Sequence, residues 1–303
     1  MRRELESLQD IGDRADELLL KAGAYDTFPT PIDDIIAAQN LRESHEGLLT
    51  DSAIALAPAY LRGKLKQLRA KAHALLDRRE REIHINPEAD RSGAGAFKRL
   101  HEVGHDLLEW QHVDDSDGFA DDQYTLSANT KRLFEREANQ TAAELLFQRD
   151  RLERRAREYV PSMGAVVELS ETFGASIHAT FRRFVETHHT AVAGVVLDSS
   201  PASHDPLAFR RREGVCSPKW LEQFEDPTSW PKQLSREPFA FVAAAAPSGS
   251  GMPVSEWRWP NRNNEIANLK VEVFSNTYSR FVLIWLPRRA PLKRRVRVTG
   301  VVR

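Results

Sequence analysis

The stretch Ala96-Phe97-Lys98-Arg99-Leu100-His101-Glu102-Val103-Gly104-His105-Asp106-Leu107-Leu108 decides how the first half of this chain is read. Phe97, Leu100, Gly104, Leu107 and Leu108 recur at helical spacing, so a helix with one apolar stripe is expected. On it His101 and His105 stand one turn apart on the same side. Two imidazoles so placed can share one Zn²⁺, and Glu102 beside the first can serve as general base toward a metal-bound water. The bland alternative is two histidines on a satisfied helix face. Gly104 costs about 1 kcal/mol against Ala inside a helix. Its expected use is to let a neighbouring element approach closely.

Upstream, Arg81-Glu82-Ile83-His84-Ile85-Asn86 alternates like a half-buried strand, and a polar loop from Pro87 to Gly95 joins it to the helix. Downstream, a three-histidine zinc pattern would need glycine at 108 and histidine at 111. The chain has Leu108 and Gln111, with His112 one residue out of register. A glutamate from a second helix is the other source of a third ligand. Residues 132–147 are expected to be that helix, with Phe134, Ala138, Ala142 and Leu145 as its core stripe. Glu135 falls on an adjoining, mostly buried face with Asn139, Ala142 and Leu146. Glu137, Thr141 and Glu144 fall on a more polar one. A buried carboxylate needs a charge or a metal, so Glu135 is the favoured ligand. The alternative is a solvated glutamate paired with Lys131 or Arg132.

Ile83 to Asn86, Leu100 to Leu108, and the run Glu135-Arg136-Glu137-Ala138-Asn139-Gln140-Thr141-Ala142-Ala143-Glu144-Leu145-Leu146 together resemble the ImmA/IrrE metallopeptidases in type, order and spacing. Pro31 to Ile36 resembles an early helix of that family. Leu169 to Arg183, with Gly174 at a turn, resembles its helix-turn-helix-like segment. The resemblance covers roughly residues 25 to 187. It implies zinc held by His101, His105 and Glu135, with Glu102 as base, in a gluzincin-like site. It also implies cleavage of a helix-turn-helix repressor that silences phage, mobile-element or DNA-damage genes, and in some members a C-terminal GAF-like sensory domain. The chain departs from the family in two places: residues 56–80 read as an Ala/Leu/Lys/Arg-rich helix where the resemblance implies a strand, and Phe147 follows Leu146 where Met-Pro is common.

Of the 303 residues, 41% are hydrophobic, enough for a sizeable core in one large or two ordinary domains. The apolar runs Phe239–Ala246 and Phe281–Leu286 are too short to span a bilayer. The N-terminus carries no secretory pattern. A single cysteine excludes an intrachain disulfide framework. A cytoplasmic protein without membrane attachment is expected. Net charge is −1, yet Arg62, Lys64, Lys66, Arg69, Lys71, Arg78, Arg79 and Arg81 form one basic cluster. Arg288, Arg289, Lys293, Arg294, Arg295 and Arg297 form another. Such clusters suit phosphate contacts, which makes single-stranded DNA a candidate activator, or they are solvated surface. The acidic residues Asp114, Asp115, Asp117, Asp121 and Asp122 are either a loop over the cleft or solvent-facing filler. Arg182 and Arg183 give the helix-turn-helix-like segment a basic end, although a structural or repressor-docking role is favoured over independent DNA reading.

The expected fold class is α+β. Residues 1–188 form a mainly helical zincin-like metallopeptidase domain with a small sheet, its helix-turn-helix-like segment at about 163–187. Residues 189–303 form an α+β domain, GAF-like by resemblance, with strands at 191–197, 239–246, 269–274, 280–286 and 296–302 and helical material near 218–224. Trp220, Trp230, Trp257, Trp259 and Trp285 are core residues or line a ligand site. Cys216, assigned to a loop beside Arg211 and Arg212, is either an inert thiol or a low-pKa inhibitory zinc ligand. The functional expectation is a latent zinc endopeptidase, one Zn²⁺ per chain, that cuts a helix-turn-helix repressor. The alternative is a metal-binding regulator that binds DNA or sequesters the repressor uncut.

Overall fold

The computed structural model describes residues 2–44, 50–63, 66, 74–86, 95–112, 128–201, 205, 207–235, 238–242 and 254–287. Two compact units emerge from its packing: Met1–Arg151 with Thr172–Ser176, and Leu152–Glu171 with Ile177–Arg303.

The first unit begins with α1 (Arg2–Lys21), whose Ile11, Ala15, Leu18 and Leu19 recur at helical spacing and are buried. Next come α2 (Ile32–Ala38), β1 (Arg42–Ser44), α3 (Asp51–Leu56), β2 (Ala74–Asp77) and β3 (Glu82–Ile85). The three strands form one sheet in the order β1-β3-β2, with β1 parallel and β2 antiparallel to β3. The expected strand before the HExxH helix is therefore present as β3, and its Ile83 and Ile85 are buried.

The helix expected over residues 56–80 is present only in part: residues 59–63 and 66 are helical, but Ala74-Leu75-Leu76-Asp77 is strand β2, turning back onto β3. Asp77 accepts hydrogen bonds from the backbone N–H groups of Arg79 and Glu80, and Arg81 takes φ +58° to close the turn. Pairing with β3 overrides the helical bias of the composition. Residues 64–65 and 67–73 lie outside the described residues.

α4 (Gly95–Leu107) carries the HExxH motif and packs along α5 (Ala128–Leu146). Gly104 sets how close they come. A Cβ there would lie 3.0 Å from the Ala138 carbonyl oxygen and 3.1 Å from Thr141 Cβ. Gly104→Ala is expected to be net destabilising. Overpacking against backbone costs about 1–3 kcal/mol, against about 1 kcal/mol regained in helix propensity. A lower melting temperature together with weaker metal retention checks this, because α4 and α5 carry the candidate ligands between them.

The second unit contains most of α6 (Arg151–Ala156), most of α7 (Met163–Phe173), α8 (Ile177–Glu186), α9 (Pro218–Leu221) and a six-stranded antiparallel sheet. Its strands are β4 (Val192–Asp198), β5 (Phe209–Cys216), β6 (Gln233–Leu234), β7 (Ser255–Pro260), β8 (Ile266–Ser275) and β9 (Ser279–Trp285), in the order β6-β5-β4-β9-β8-β7. The helix-turn-helix-like segment is two helices about Gly174, which takes φ +66°. Phe181, Phe184 and Val185 of α8 are buried, and Phe181 lies where a Cβ on Gly194 of β4 would sit. On the other face Ala193, Val195, Val282 and Ile284 join a core with Trp220, Trp230, Phe239 and Trp257.

The strand expected at 239–246 is corrected to a 3-10 turn at Ala240–Val242, with 243–250 outside the described residues. β5 lacks a readable alternation because Arg210, Arg211 and Arg212 stand in a row, whereas β7 does alternate, as Glu256-Trp257-Arg258-Trp259, and was legible in the sequence. The strand expected at 296–302, the C-terminal basic cluster and the acidic stretch 114–122 also lie outside the described residues.

On α8, Arg182 pairs with Glu186 and with Glu213 of β5, and His178 bonds Glu213 at 3.0 Å. The bond to His178 holds the Glu213 carboxyl below its ordinary value, against desolvation and with help from Arg182 and Arg212. A depressed carboxylate pKa stabilises the fold above the unfolded value, about 4.3, and that stabilisation disappears as pH falls through the folded value. The melting-temperature gap between wild type and Glu213→Gln is therefore expected to be open at pH 7 and to close below about pH 4.

Candidate metal centre

His101 and His105 project from one side of α4, and Glu135 meets them from α5. The two Nε2 atoms are 3.1 Å apart, with rings nearly perpendicular at 88°. Glu135 Oε2 lies 3.3 Å from His101 Nε2, and its Oε1 lies 3.6 Å from His105 Nε2. One ligand atom from each residue lies within 4.8 Å of the others. The third candidate ligand is thus where the sequence placed it, but not on the face the sequence assigned.

That assignment of faces holds for Ala142 and Leu146, which are buried, but fails for the polar residues. Glu137, Thr141 and Glu144 are buried, whereas the Glu135 side chain is 61% exposed. The buried polar atoms of α5 are satisfied internally, as buried polar groups must be. Glu137 Oε2 accepts from Trp110 Nε1 and Gln111 Nε2, Thr141 Oγ1 donates to the Glu137 carbonyl, and Glu144 accepts from Gln140 and Arg149. Nor does Arg132 pair with Glu135; it bonds Ala128 O and Asn129 Oδ1.

Gln111, absent from the sequence-based site, orients His105. Its Nε2 faces two acceptors, Glu137 Oε2 at 2.8 Å and Phe134 O at 3.3 Å. Its Oε1 therefore faces His105, whose Nδ1–H donates to it at 2.8 Å. This leaves the His105 Nε2 lone pair directed at His101, the tautomer a metal ligand needs. Gln111 stands where a three-histidine pattern would place a ligand, which is the signal that could have drawn attention to it.

The electrostatics point the same way. Hydrogen bonds to His101 and His105 hold the Glu135 carboxyl well below the usual carboxylate range, against desolvation. Burial disfavours the His105 cation, but Glu135, Glu102 and Gln111 outweigh it and raise its pKa. Two facing nitrogen donors and a carboxylate thus demand positive charge between them. A divalent cation with a nitrogen and oxygen donor set fits that demand. Glu102 lies within electrostatic reach of all three. Burial raises its pKa, while the two histidines and the backbone N–H of Leu76 lower it. Leu76 is on β2, one of the two edge strands of the described sheet.

The remaining sequence candidates sit elsewhere. Cys216 is not in the cluster; it ends β5 opposite Ala193, on a strand rather than in a loop. Its thiol pKa is pushed up to about 11 by burial, with Asp226 and Glu186 adding to the shift, so the expected lowering by arginines is overturned. Of the first basic cluster, Arg78 donates to the His105 carbonyl, and Arg81 pairs with buried Asp106 and donates to Gln39 O. These two arginines brace the HExxH helix.

A family model described as the IrrE N-terminal-like domain of the M78 peptidases matches residues 63–184. The match supports a peptidase of ImmA/IrrE kind over that stretch and spans both α4 and α5. No curated protein matches the chain. Among solved structures, a Mycobacterium tuberculosis transcriptional regulator is similar, with a TM-score of 0.50 at 10% identity, covering 91% of this chain and 75% of that one. At that identity the likeness shows the fold alone. Among the described residues no helix is long and apolar enough to cross a membrane.

Proposed function

We propose that this protein is a zinc-dependent endopeptidase that cuts a helix-turn-helix transcriptional repressor. The observation that carries the reading is the meeting of His101, His105 and Glu135 with Glu102 alongside. Bound zinc would supply Lewis acidity and a water acidic enough to lose its proton near neutral pH. His101, His105 and Glu135 would hold the ion, and Gln111 fixes the ring of His105. Glu102, steadied by the Leu76 N–H, takes the proton and passes it to the leaving amine. An extended substrate segment that pairs with the edge strand β2 lies beside Glu102.

The repressor as substrate is supported by the family match and by the resemblance of the chain to ImmA/IrrE proteins. In the same reading residues 189–303 are a regulatory, GAF-like unit, and the targets are phage- or DNA-damage-responsive genes of a cytoplasmic circuit. Single-stranded DNA as the trigger draws no support from Arg78 and Arg81, which are engaged by α4. The latch role of Cys216 draws none from its surroundings.

The test is to incubate the zinc-loaded protein with the helix-turn-helix protein encoded beside it and to follow that protein's mass, with and without a chelator and with and without single-stranded DNA. Cleavage at one bond, stopped by the chelator, is the expected result. A repressor that stays full length yet loses DNA binding would replace the peptidase with a sequestering regulator.

A further inference from the structure

The sheet of the second unit contains a buried cation with no counterion among the described residues. Arg280, on β9, is only 8% exposed. It lies on the same face as Val282 and Ile284, away from Phe281, whose ring packs against Phe181 of α8. Its Nη1 donates to Val242 O at 2.5 Å, and its guanidinium carbon lies 3.8 Å from the centroid of the Phe209 ring. Its Nε is buried without a hydrogen bond, and among the described residues Nη2 makes none and no carboxylate pairs with the group. Removing a charge from water and leaving it unpaired is strongly destabilising, so such groups normally find a partner.

A second donor in the same core is also without a partner. Trp230 is 4% exposed, and its indole Nε1 is buried with no acceptor among the described residues. Trp220 and Trp257, by contrast, donate to Glu225 O and Pro238 O. Trp230 packs with Phe239, Trp257 and Trp259 at centroid distances of 5.4, 5.7 and 5.8 Å. Phe209 and Val242, the contacts of Arg280, belong to the same hydrophobic core, and the Val242 N–H donates to the Phe239 carbonyl at 3.0 Å. The sequence supplies few internal partners: residues 243–253 and 288–303 contain no Asp or Glu, and Glu237 is the one acidic residue beyond 188 that lies outside the described set.

We propose that Arg280 and Trp230 form the anion-reading end of a ligand site in this unit, and that the ligand is a small organic acid, a carboxylate on a flat apolar body. With Nη1 held by Val242, the free edge of the guanidinium is Nε and Nη2. That edge presents two parallel N–H donors to the two oxygens of a carboxylate. The indole N–H offers a further donor, and Trp259 and Phe241, only partly buried against the same core, give an apolar body a surface to stack on. The site binds whether or not the first unit cleaves peptides.

The test uses benzoate as probe and benzamide as its neutral counterpart, with the full chain followed by thermal denaturation and tryptophan fluorescence. Benzoate up to about 10 mM, where fragment-sized ligands reach measurable occupancy, is expected to raise the melting temperature and change the fluorescence saturably. Benzamide is expected to do neither. Arg280→Met should weaken the benzoate response about tenfold or more, while its own melting temperature without ligand is equal to or above that of wild type. Trp230→Phe, which keeps the ring packing and removes the donor, should also weaken it. A wild-type response no larger than that to benzamide, or to chloride at equal ionic strength, overturns the proposal. So does a non-additive loss of stability in Glu237→Gln and Arg280→Met, which would make Glu237 the internal counterion.

Discussion

Glu102→Gln is expected to bind metal as wild type does and to cut the repressor about 10²–10⁴-fold more slowly, the range a positioned general base contributes. The amide keeps the shape of the carboxylate, can still accept from the Leu76 N–H, and leaves His101, His105 and Glu135 untouched. What it cannot do is take a proton. Metal content by mass spectrometry and single-turnover cleavage should therefore separate: the first unchanged, the second lost. If both fall together, Glu102 supports the site rather than acting in it. If neither falls, some other group carries the proton.

How much of this arrangement could be read beforehand follows from which forces leave a periodic trace. Strand β3 and helix α4 were legible because burial on one face imposes a period of 2 or 3.6 on the apolar residues, and Gly104 was legible because a glycine inside a helix needs a reason. β2 was not, since Ala74-Leu75-Leu76 is as good a helix former as a strand former and only its pairing with β3 decides. The polar residues of α5 were assigned to the wrong faces for a related reason. Polarity marks a solvent face only when the polar groups lack partners inside, and Glu137, Thr141 and Glu144 have them. A carboxylate that meets two imidazoles, conversely, need not be buried at all, as Glu135 shows. Arg280 was passed over because it opens an apolar run, where its charge reads as the polar end of a strand.

The unexpected burial of Glu137 and exposure of Glu135 turn the choice between them into a sharp expectation. Both are carboxylates on α5 within reach of the histidines, directly or through one residue. Glu135 approaches both Nε2 atoms, at 3.3 and 3.6 Å. Glu137 reaches His105 only through Gln111, by bonds of 2.8 Å on each side of the amide. Glu137→Gln is then an outer-sphere change, expected to weaken metal binding by about 10–100-fold. Glu135→Ala removes a donor atom itself and is expected to weaken it by more than that, and to stop cleavage. Competition with a chromogenic chelator would rank the two variants. The ranking carries information that activity alone does not, because either change can silence the enzyme. If Glu137→Gln were the more damaging, the buried face of α5 would hold the ion and the exposed carboxylate would be surface. The internal bonds of Glu137 argue against that, since its Oε2 already accepts from Trp110 and Gln111.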